Sequence, residues 1–584
     1  MSEIIPRVIV KYEELFDDFN SVNLNEILSQ IPTMKVIQIA SHTINYLNHR
    51  ENFNQKQINI VNGFIKSIPN YVHLFDKLNN LSKSSNSLVL IFTNINCLFI
   101  MQKSLHLNIP LDTDKINSQD RERFLKAILL INQVIVDKKQ KSLDINEKLS
   151  SEELYIRNIL PMYIPDMEFQ YTKDLVVQST KLKYFIDFIN SNDEFKKYEH
   201  EFLSTKKVNI WDEYIKYLWL IYASLHKSGS KLLVNQQSNK ILFDINKEIN
   251  EVNFFNTLAI NSEDIEISDI NISEAQEFDF KLLRKFPLYK FRENLFGAMN
   301  INFLADKMFQ GIQYDYCDIV ERRGKKSYAR GFKDYYSDHF AHRSLFHPII
   351  DYCINIKDND SIKVNGEKYP QIEYSDFYIR NRKKIFLIEF KDYVMNAKTK
   401  HSQDYDLIIN YIEENFITPK GANQLVNVIN KLSNGGFPFD SLAAINKYNL
   451  DEIIIQPIIV YTDASFSCPC INYIVNKGFR ELLKKYNHNY KIEDLVMIHF
   501  DLFVKYQDSF NKNILKLNDI IMKYIRYINK LEKANYKLEK INPEVYTDFE
   551  SFFSDRILIS NKQIILENPL VFKELTKRIL PEKN

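Results

Sequence analysis

The stretch Ile385-Phe386-Leu387-Ile388-Glu389-Phe390-Lys391 decides how the middle of this chain folds. Side chains alternate along a strand, so Phe386, Ile388 and Phe390 point one way and Leu387, Glu389 and Lys391 the other. A carboxylate and an ammonium therefore share one face of an apolar strand. Burying them side by side is costly unless something compensates the charge. An upstream segment rich in β-formers, Gln371-Ile372-Glu373-Tyr374-Ser375-Asp376-Phe377-Tyr378-Ile379, offers a further carboxylate. The polar stretch Arg380-Asn381-Arg382-Lys383-Lys384 is short enough for a hairpin, which sets Asp376 level with Glu389 and Lys391. The pattern is Asp, twelve residues, then Glu-x-Lys, on adjacent strands.

The spacing alone is weak evidence in a chain with 75 acidic and 76 basic residues. Glu194-Phe195-Lys196 repeats Glu-x-Lys, and Asp137-Lys138-Lys139 has the equivalent spacing. Both read as helix, where residues i and i+2 point about 200° apart and cannot share a ligand. Only Glu389 and Lys391 combine a strand context with an upstream strand aspartate. The competing reading is an ordinary edge strand with solvated charges.

The chemistry these residues suit is phosphodiester hydrolysis. Asp376, Glu389 and the backbone carbonyl of Phe390 make a hard oxygen ligand set for Mg²⁺, with Mn²⁺ as the natural substitute. Lys391 beside such an ion can orient the attacking water and stabilise a pentavalent phosphorus. Glu373, three positions from Asp376, falls on the opposite strand face and is a poor ligand.

Asp376 followed by Glu389-Phe390-Lys391 resembles the PD-(D/E)XK nuclease superfamily, the restriction-endonuclease-like fold. The resemblance covers about residues 325–505 and implies an α/β class: a mixed sheet flanked by helices, one before the first strand and one after the Glu-x-Lys strand. Phe332 to Phe346 reads as the leading helix, where Asp334 or Asp338 would supply the acid that some members place there. Lys420-Gly421-Ala422-Asn423-Gln424-Leu425 opens a helix like the one in which many members put a phosphate-contacting Gln or Lys. That implies a catalytic part for Gln424 and substrate binding by Lys420, four residues apart on one helical face. Ile453 to Tyr461 and Leu495 to Phe500 complete the sheet, although Pro457 calls for an edge strand or a bulge. Ser375, not proline, precedes Asp376; the proline of the family name does no chemistry.

The implied activity is Mg²⁺-dependent cleavage of nucleic acid, DNA before RNA and endonucleolytic before exonucleolytic. Such folds attached to large helical regions in microbes often serve defence against phage or plasmids. The alternative is a non-catalytic nucleic-acid-binding or assembly protein that retains the fold.

Glycine divides the rest of the chain. Of eleven, only Gly63 and Gly229 precede residue 297 and none follows Gly478. Glycine serves turns and bulges, so strands and hairpins belong in the middle and helices at the flanks. The organisation expected is a helical regulatory or assembly domain over 1–240, a connecting segment with short strands over 241–324, the nuclease-like domain over 325–505 and a helical tail over 506–584. Ser118 reads as the N-cap of the helix carrying Phe124 to Leu130. Alternation at Ile265-Glu266-Ile267-Ser268-Asp269-Ile270 suggests a strand in the connecting segment.

Composition bounds the partners. The 584 residues are 45% hydrophobic and 26% charged with a net charge of +1, as in a globular protein without a global field for nucleic acid. A local basic surface must serve instead, and Arg322, Arg323, Lys325 and Lys326 form the candidate. Gly324-Lys325-Lys326-Ser327 is not a P-loop, because Ile319 stands where the upstream glycine is required. Any nucleotide-driven step therefore falls to a partner NTPase, and a homo-oligomer is the other assembly open to it. Five cysteines suit a reducing cytoplasm, and Cys468-Pro469-Cys470 reads as packed thiols because no second pair accompanies it. Charges near the N-terminus argue against a signal peptide, and Leu88 to Met101 is too short to span a membrane. His339, His342 and His347 cluster near the leading helix and read as packing or phosphate-contacting residues; His401 lies ten residues past Lys391.

Overall fold

The computed structural model describes residues 7–580 except 48–52, 67, 69–70, 86–87, 111–114, 144–148, 170–172, 230–241, 245–248, 261–278, 325–330, 357–359, 370–373, 442–447, 539–541 and 560–567. The central sheet is built from β1 (Ser361–Asn365), β2 (Phe377–Asn381), β3 (Lys384–Lys391), β4 (Ile454–Tyr461), β5 (Lys491–Ile492) and β6 (Val496–His499). The first three form an antiparallel meander in the order β1-β2-β3. Strand β4 lies parallel to β3, and β5 and β6 both run parallel along the far edge of β4.

The hairpin forms where the sequence places it, with a correction at its start. Asn381 pairs with Lys384 and Phe377 with Ile388, leaving Arg382 and Lys383 as a two-residue turn. Arg382 takes a left-handed φ of 53° there. Strand β2 begins at Phe377 rather than Gln371, so Asp376 stands one residue before it; Glu373 lies outside the described residues.

Pro457 does not mark an edge. It sits in the central strand β4, where β5 covers Ile454 and Ile455 and β6 resumes at Ile458. The missing donor coincides with this break in the neighbouring strand, which the Gln456 amide bridges by donating to Asp494 O at 2.9 Å. The position satisfies the rule that proline cannot feed a continuous ladder.

Alternation in β3 sorts the core as expected. Phe386, Ile388 and Phe390 join one apolar cluster, while Ile385 and Leu387 join another on the opposite face. The second face packs against α1 (Ser151–Met167), and the first against α2 (Leu175–Ser191). The leading helix α3 is longer than the sequence suggests and changes pitch. It runs as α-helix over Phe332–Tyr336, π-helix over Ser337–Phe346 and α-helix again over His347–Cys353. Helices α4 (Ala422–Ser433) and α5 (Ile471–Leu483) cover the Leu387 face, and α6 (Phe500–Asn511) packs on α2 and α3.

The flanks are helical, as the glycine distribution implies. Before residue 230 the described strands are Arg7–Ile9 and Leu88–Leu90, a short parallel pair. The apolar run from Leu88 continues into the helix Asn94–Leu107, capped by Thr93. Asn117, not Ser118, caps the next helix: its Oδ1 accepts from Asp120 N at 2.8 Å, and Asp120 Oδ2 accepts from Asn117 N at 2.9 Å. The connecting segment holds a second sheet of Leu242–Asp244, Ala259–Ile260, Leu288–Arg292 and Leu295–Ala298. The alternation at Ile265 to Ile270 lies outside the described residues. Among the described residues, no helix is long and apolar enough to cross a membrane.

Candidate active site

Strands β3, β4 and β6 are parallel, so their C-terminal ends meet at one edge. Lys391, Tyr461 and His499 stand abreast there. Ligands gather at the carboxyl ends of parallel strands in open α/β sheets. The charged pair read from the sequence sits at this edge.

Glu389 and Lys391 are 5% and 6% exposed. Lys391 Nζ lies 2.8 Å from Glu389 Oε1 and 2.7 Å from Gln424 Oε1. Gln424 is in the first turn of α4, where the backbone N–H of Gly421 also donates to its Oε1, at 2.9 Å. One amide oxygen thus caps the helix and steadies the lysine. Gly421 makes this possible at φ +61°, where a Cβ would run into the Phe416 carbonyl. Lys420 precedes the helix and shares no helical face with Gln424; its ammonium lies over the Tyr393 ring at 4.8 Å.

Asp376 completes the constellation from the mouth of β2. One step beyond the pair Phe377 and Ile388, the antiparallel register sets Asp376 opposite Glu389. Its Oδ2 accepts from Phe390 N at 2.7 Å, and Oδ1 faces His342 Nδ1 at 3.9 Å. Burial raises the Asp376 carboxyl above its usual range, against the opposing pull of Lys391 and the Phe390 N–H. Burial and then the Asp376 charge push Glu389 up to about 7, with Lys391 acting against them. Burial pulls Lys391 down, but Glu389 and Asp376 outweigh it and hold the ammonium above its ordinary value. Two like charges that each resist ionisation form a site that welcomes a cation or a proton.

A divalent ion fits this donor set. Asp376, Glu389 and the Phe390 carbonyl offer the hard oxygens, and magnesium is typically held by one or two carboxylates with water and phosphate completing the shell. Among the described residues, no group of three or more His, Cys, Asp or Glu side chains is gathered as a metal cluster.

Helix α3 delivers a histidine where an acid was expected. Asp334 and Asp338 are exposed. Asp338 is engaged by Arg343 at 3.0 Å and lies 3.2 Å from His339. His342 instead turns inward, edge-on to Phe390 with ring centroids 4.9 Å apart. Burial pulls its pKa down, opposed by Asp392 and Glu389. His339 stacks on Tyr335 at 4.0 Å, and His347 Nδ1 lies 3.4 Å from Glu367.

Other candidates lie elsewhere. His401 belongs to a buried charge cluster, not to the Glu389 site. Burial and Lys400 push its pKa down to about 3, with Glu168 and Arg284 close by. In that cluster Arg284 forks onto Glu168 at 2.6 and 2.9 Å, and Lys400 lies 3.5 Å from Glu168 and 3.8 Å from Asp463. Arg322 pairs with Asp318 at the exposed end of the helix Gln310–Arg323, and Arg323 lies 3.5 Å from Glu201 of the helix Glu199–Thr205. Lys325 and Lys326 fall outside the described residues. Cys468 and Cys470 are buried, free thiols.

One group gave no sequence signal at all. Glu550, from the C-terminal tail, accepts from the backbone N of His499 and from Tyr461 Oη, the latter at 3.0 Å. Burial and Asp548 push its carboxyl up to about 8. His499 in turn accepts from Asp501 N at Nδ1 (3.2 Å), which leaves Nε2–H to donate to Thr462 O at 2.9 Å. Comparison with protein-family models, curated proteins and solved structures returns no match to this chain.

Proposed function

We propose that this chain is a divalent-metal-dependent nuclease acting on DNA, with Asp376, Glu389 and Lys391 at its centre. The observation that carries the reading is the buried Lys391, held between Glu389 and Gln424 at the carboxyl edge of parallel strands. An ammonium placed there serves no packing purpose that an apolar residue would not serve better. The element order supports the resemblance to the PD-(D/E)XK superfamily: helix α3, the β1-β2-β3 meander ending in Glu-x-Lys, helix α4, then the parallel strand β4.

Asp376, Glu389 and the Phe390 carbonyl would hold the ion, which when bound supplies Lewis-acid polarisation of the phosphate. Lys391 orients the attacking water and meets the charge that develops on phosphorus. Gln424 keeps the lysine in one rotamer, and Lys420 offers a cation at the site's rim. The rival, a binding protein that keeps the fold without catalysis, draws on the lack of a gathered three-ligand cluster among the described residues.

Supercoiled plasmid or phage DNA incubated with Mg²⁺ separates the two. The nuclease reading expects nicking or linearisation by the wild type and none by Lys391→Ala. Equal cleavage by both would remove Lys391 from the active site, and DNA retention without cleavage would favour the binding protein.

A further inference from the structure

Tyr314 lies within the helix Gln310–Arg323 and is 58% exposed. One turn earlier on the same face, Gln310 accepts from Lys173 at 3.2 Å, and Lys173 lies 3.9 Å from Glu168. Glu168 leads through Lys400 to Asp463, whose Oδ2 accepts from Met395 N at 2.8 Å. This face of the helix therefore looks onto the segments that follow β3 and β4. Burial raises the Tyr314 hydroxyl, and the charges of Asp392 and Asp463 add to it, with Arg284 and Glu168 also in reach. Asp392 directly follows Lys391 and accepts from Thr462 Oγ1 at 3.0 Å, just past the end of β4. A ring both open to solvent and surrounded by protein lies in a recess, here beside the carboxyl edge that carries Lys391.

The chemistry of this recess selects its occupant. Asp392 and Asp463 repel phosphate, while Arg284 and Lys400 are already engaged by Glu168 and Asp463. A flat, neutral group suits the exposed ring. Tyr336 is buried, and its hydroxyl has no hydrogen-bond partner among the described residues. Burial raises that hydroxyl, and Cys317, Asp392 and Tyr314 add to the effect, which places it beside the same recess. An unused donor there suits the carbonyls and ring nitrogens of a nucleobase. We infer that Tyr314 is a base-stacking platform and that the strand is cut unpaired, with single-stranded DNA as the preferred substrate. This rests on the nuclease reading and names the form of DNA its site takes. Inside a duplex the base faces cover one another and offer a side chain no platform. The backbone passes Lys391 and Lys420 while the base beside the scissile phosphate turns to Tyr314. Every base has a π-face, so the contact tolerates sequence. Negatively supercoiled plasmid exposes such bases transiently and stays a substrate.

A short single-stranded DNA oligonucleotide with 2-aminopurine at successive positions tests this on the full-length protein, with Ca²⁺ in place of Mg²⁺. Tyr314→Leu keeps apolar bulk without a π-face. At one position the bound probe should be brighter in Tyr314→Leu than in wild type or Tyr314→Phe. Fluorescence anisotropy should show single-strand affinity falling roughly 5- to 100-fold in Tyr314→Leu, the loss of one base stack, and staying within about threefold in Tyr314→Phe. Affinity for the matching duplex, weaker from the outset, should not change. A wild type that holds duplex as tightly as single strand overturns the inference. So does Tyr314→Leu binding and fluorescing like wild type, and in either case DNA retention leaves the nuclease reading standing. Failure of the wild type to bind either form, in Ca²⁺ or Mg²⁺, removes the nucleic-acid reading itself. Tyr314→Ser serves as a second variant should the leucine perturb folding, judged by circular dichroism.

Discussion

Lys391 Nζ and Gln424 Oε1 meet at 2.7 Å across 33 residues of chain. This contact joins the hairpin to the first turn of the covering helix. Lys391→Ala should keep the fold and the metal but lose cleavage by about 10²–10³-fold, the size of effect seen when one preorganised donor is removed from a developing anion. Circular dichroism, Mg²⁺ calorimetry and plasmid nicking together test it; normal cleavage would exclude the lysine.

Gln424→Ala removes an acceptor shared by Lys391 and Gly421 N. Loss of the cap should cost about 1 kcal/mol of stability, and the freed lysine should lower cleavage about tenfold through poorer positioning. Lys420→Ala should act more mildly. Denaturant melts and initial rates distinguish the two contributions.

Gly421→Ala should be far more damaging than its size suggests. A left-handed φ and a backbone carbonyl in the path of the Cβ predict a loss of about 3 kcal/mol or more. Soluble protein with an unchanged melting temperature would show that this loop relaxes freely.

Metal uptake should release protons. Glu389 titrates at about 7, above its ordinary 4.5, so at pH 6 it is largely protonated and an entering cation must displace that proton. Calorimetry in buffers of different ionisation enthalpy should give about one proton released near pH 6 and much less at pH 8.5. Asp376→Asn should lower the Glu389 pKa by removing the neighbouring charge.

Glu550 supplies a separate pH dependence. Its folded pKa of about 8 exceeds the ordinary 4.5, so the native state keeps a proton that the unfolded chain releases between those values. Its contribution is complete below pH 4.5 and is lost as pH climbs through 8. Melting temperature in the presence of EDTA should fall from pH 6 to 8.5 in the wild type and fall less in Glu550→Gln. Identical slopes would place the proton elsewhere.

The hairpin was legible because a period of two is hard to mistake. Leu387, Glu389 and Lys391 share the face that their alternation assigns, and Asp376 reaches Glu389 through the register of a two-residue turn. The inward residue of α3 was not legible. Asp334, Asp338 and His342 are spaced by four and would share one α-helical face, which favours the acids; the π stretch breaks that equivalence and turns His342 inward. The helical face expected for Lys420 and Gln424 does not form, since the helix begins after Gly421 rather than at Lys420. Glu550 lies 51 residues beyond His499, and no local pattern announces a contact that only the tertiary packing creates.

The helix Phe500–Asn511 starts where β6 ends and kinks at Tyr506, whose φ of −108° and ψ of 18° are non-helical. Beyond it the tail returns to grip Tyr461 and His499 through Glu550. A fragment cut at residue 505 would end at this kink, lose the second half of the helix and strip Tyr461 and the His499 amide of their acceptor, Glu550. The strands that carry Glu389 and Lys391 are thus not a cassette that could be lifted out and grafted onto another protein. Expression of the middle segment alone should yield aggregated material, and shortened forms of this chain will need both the helix and its tail to remain soluble.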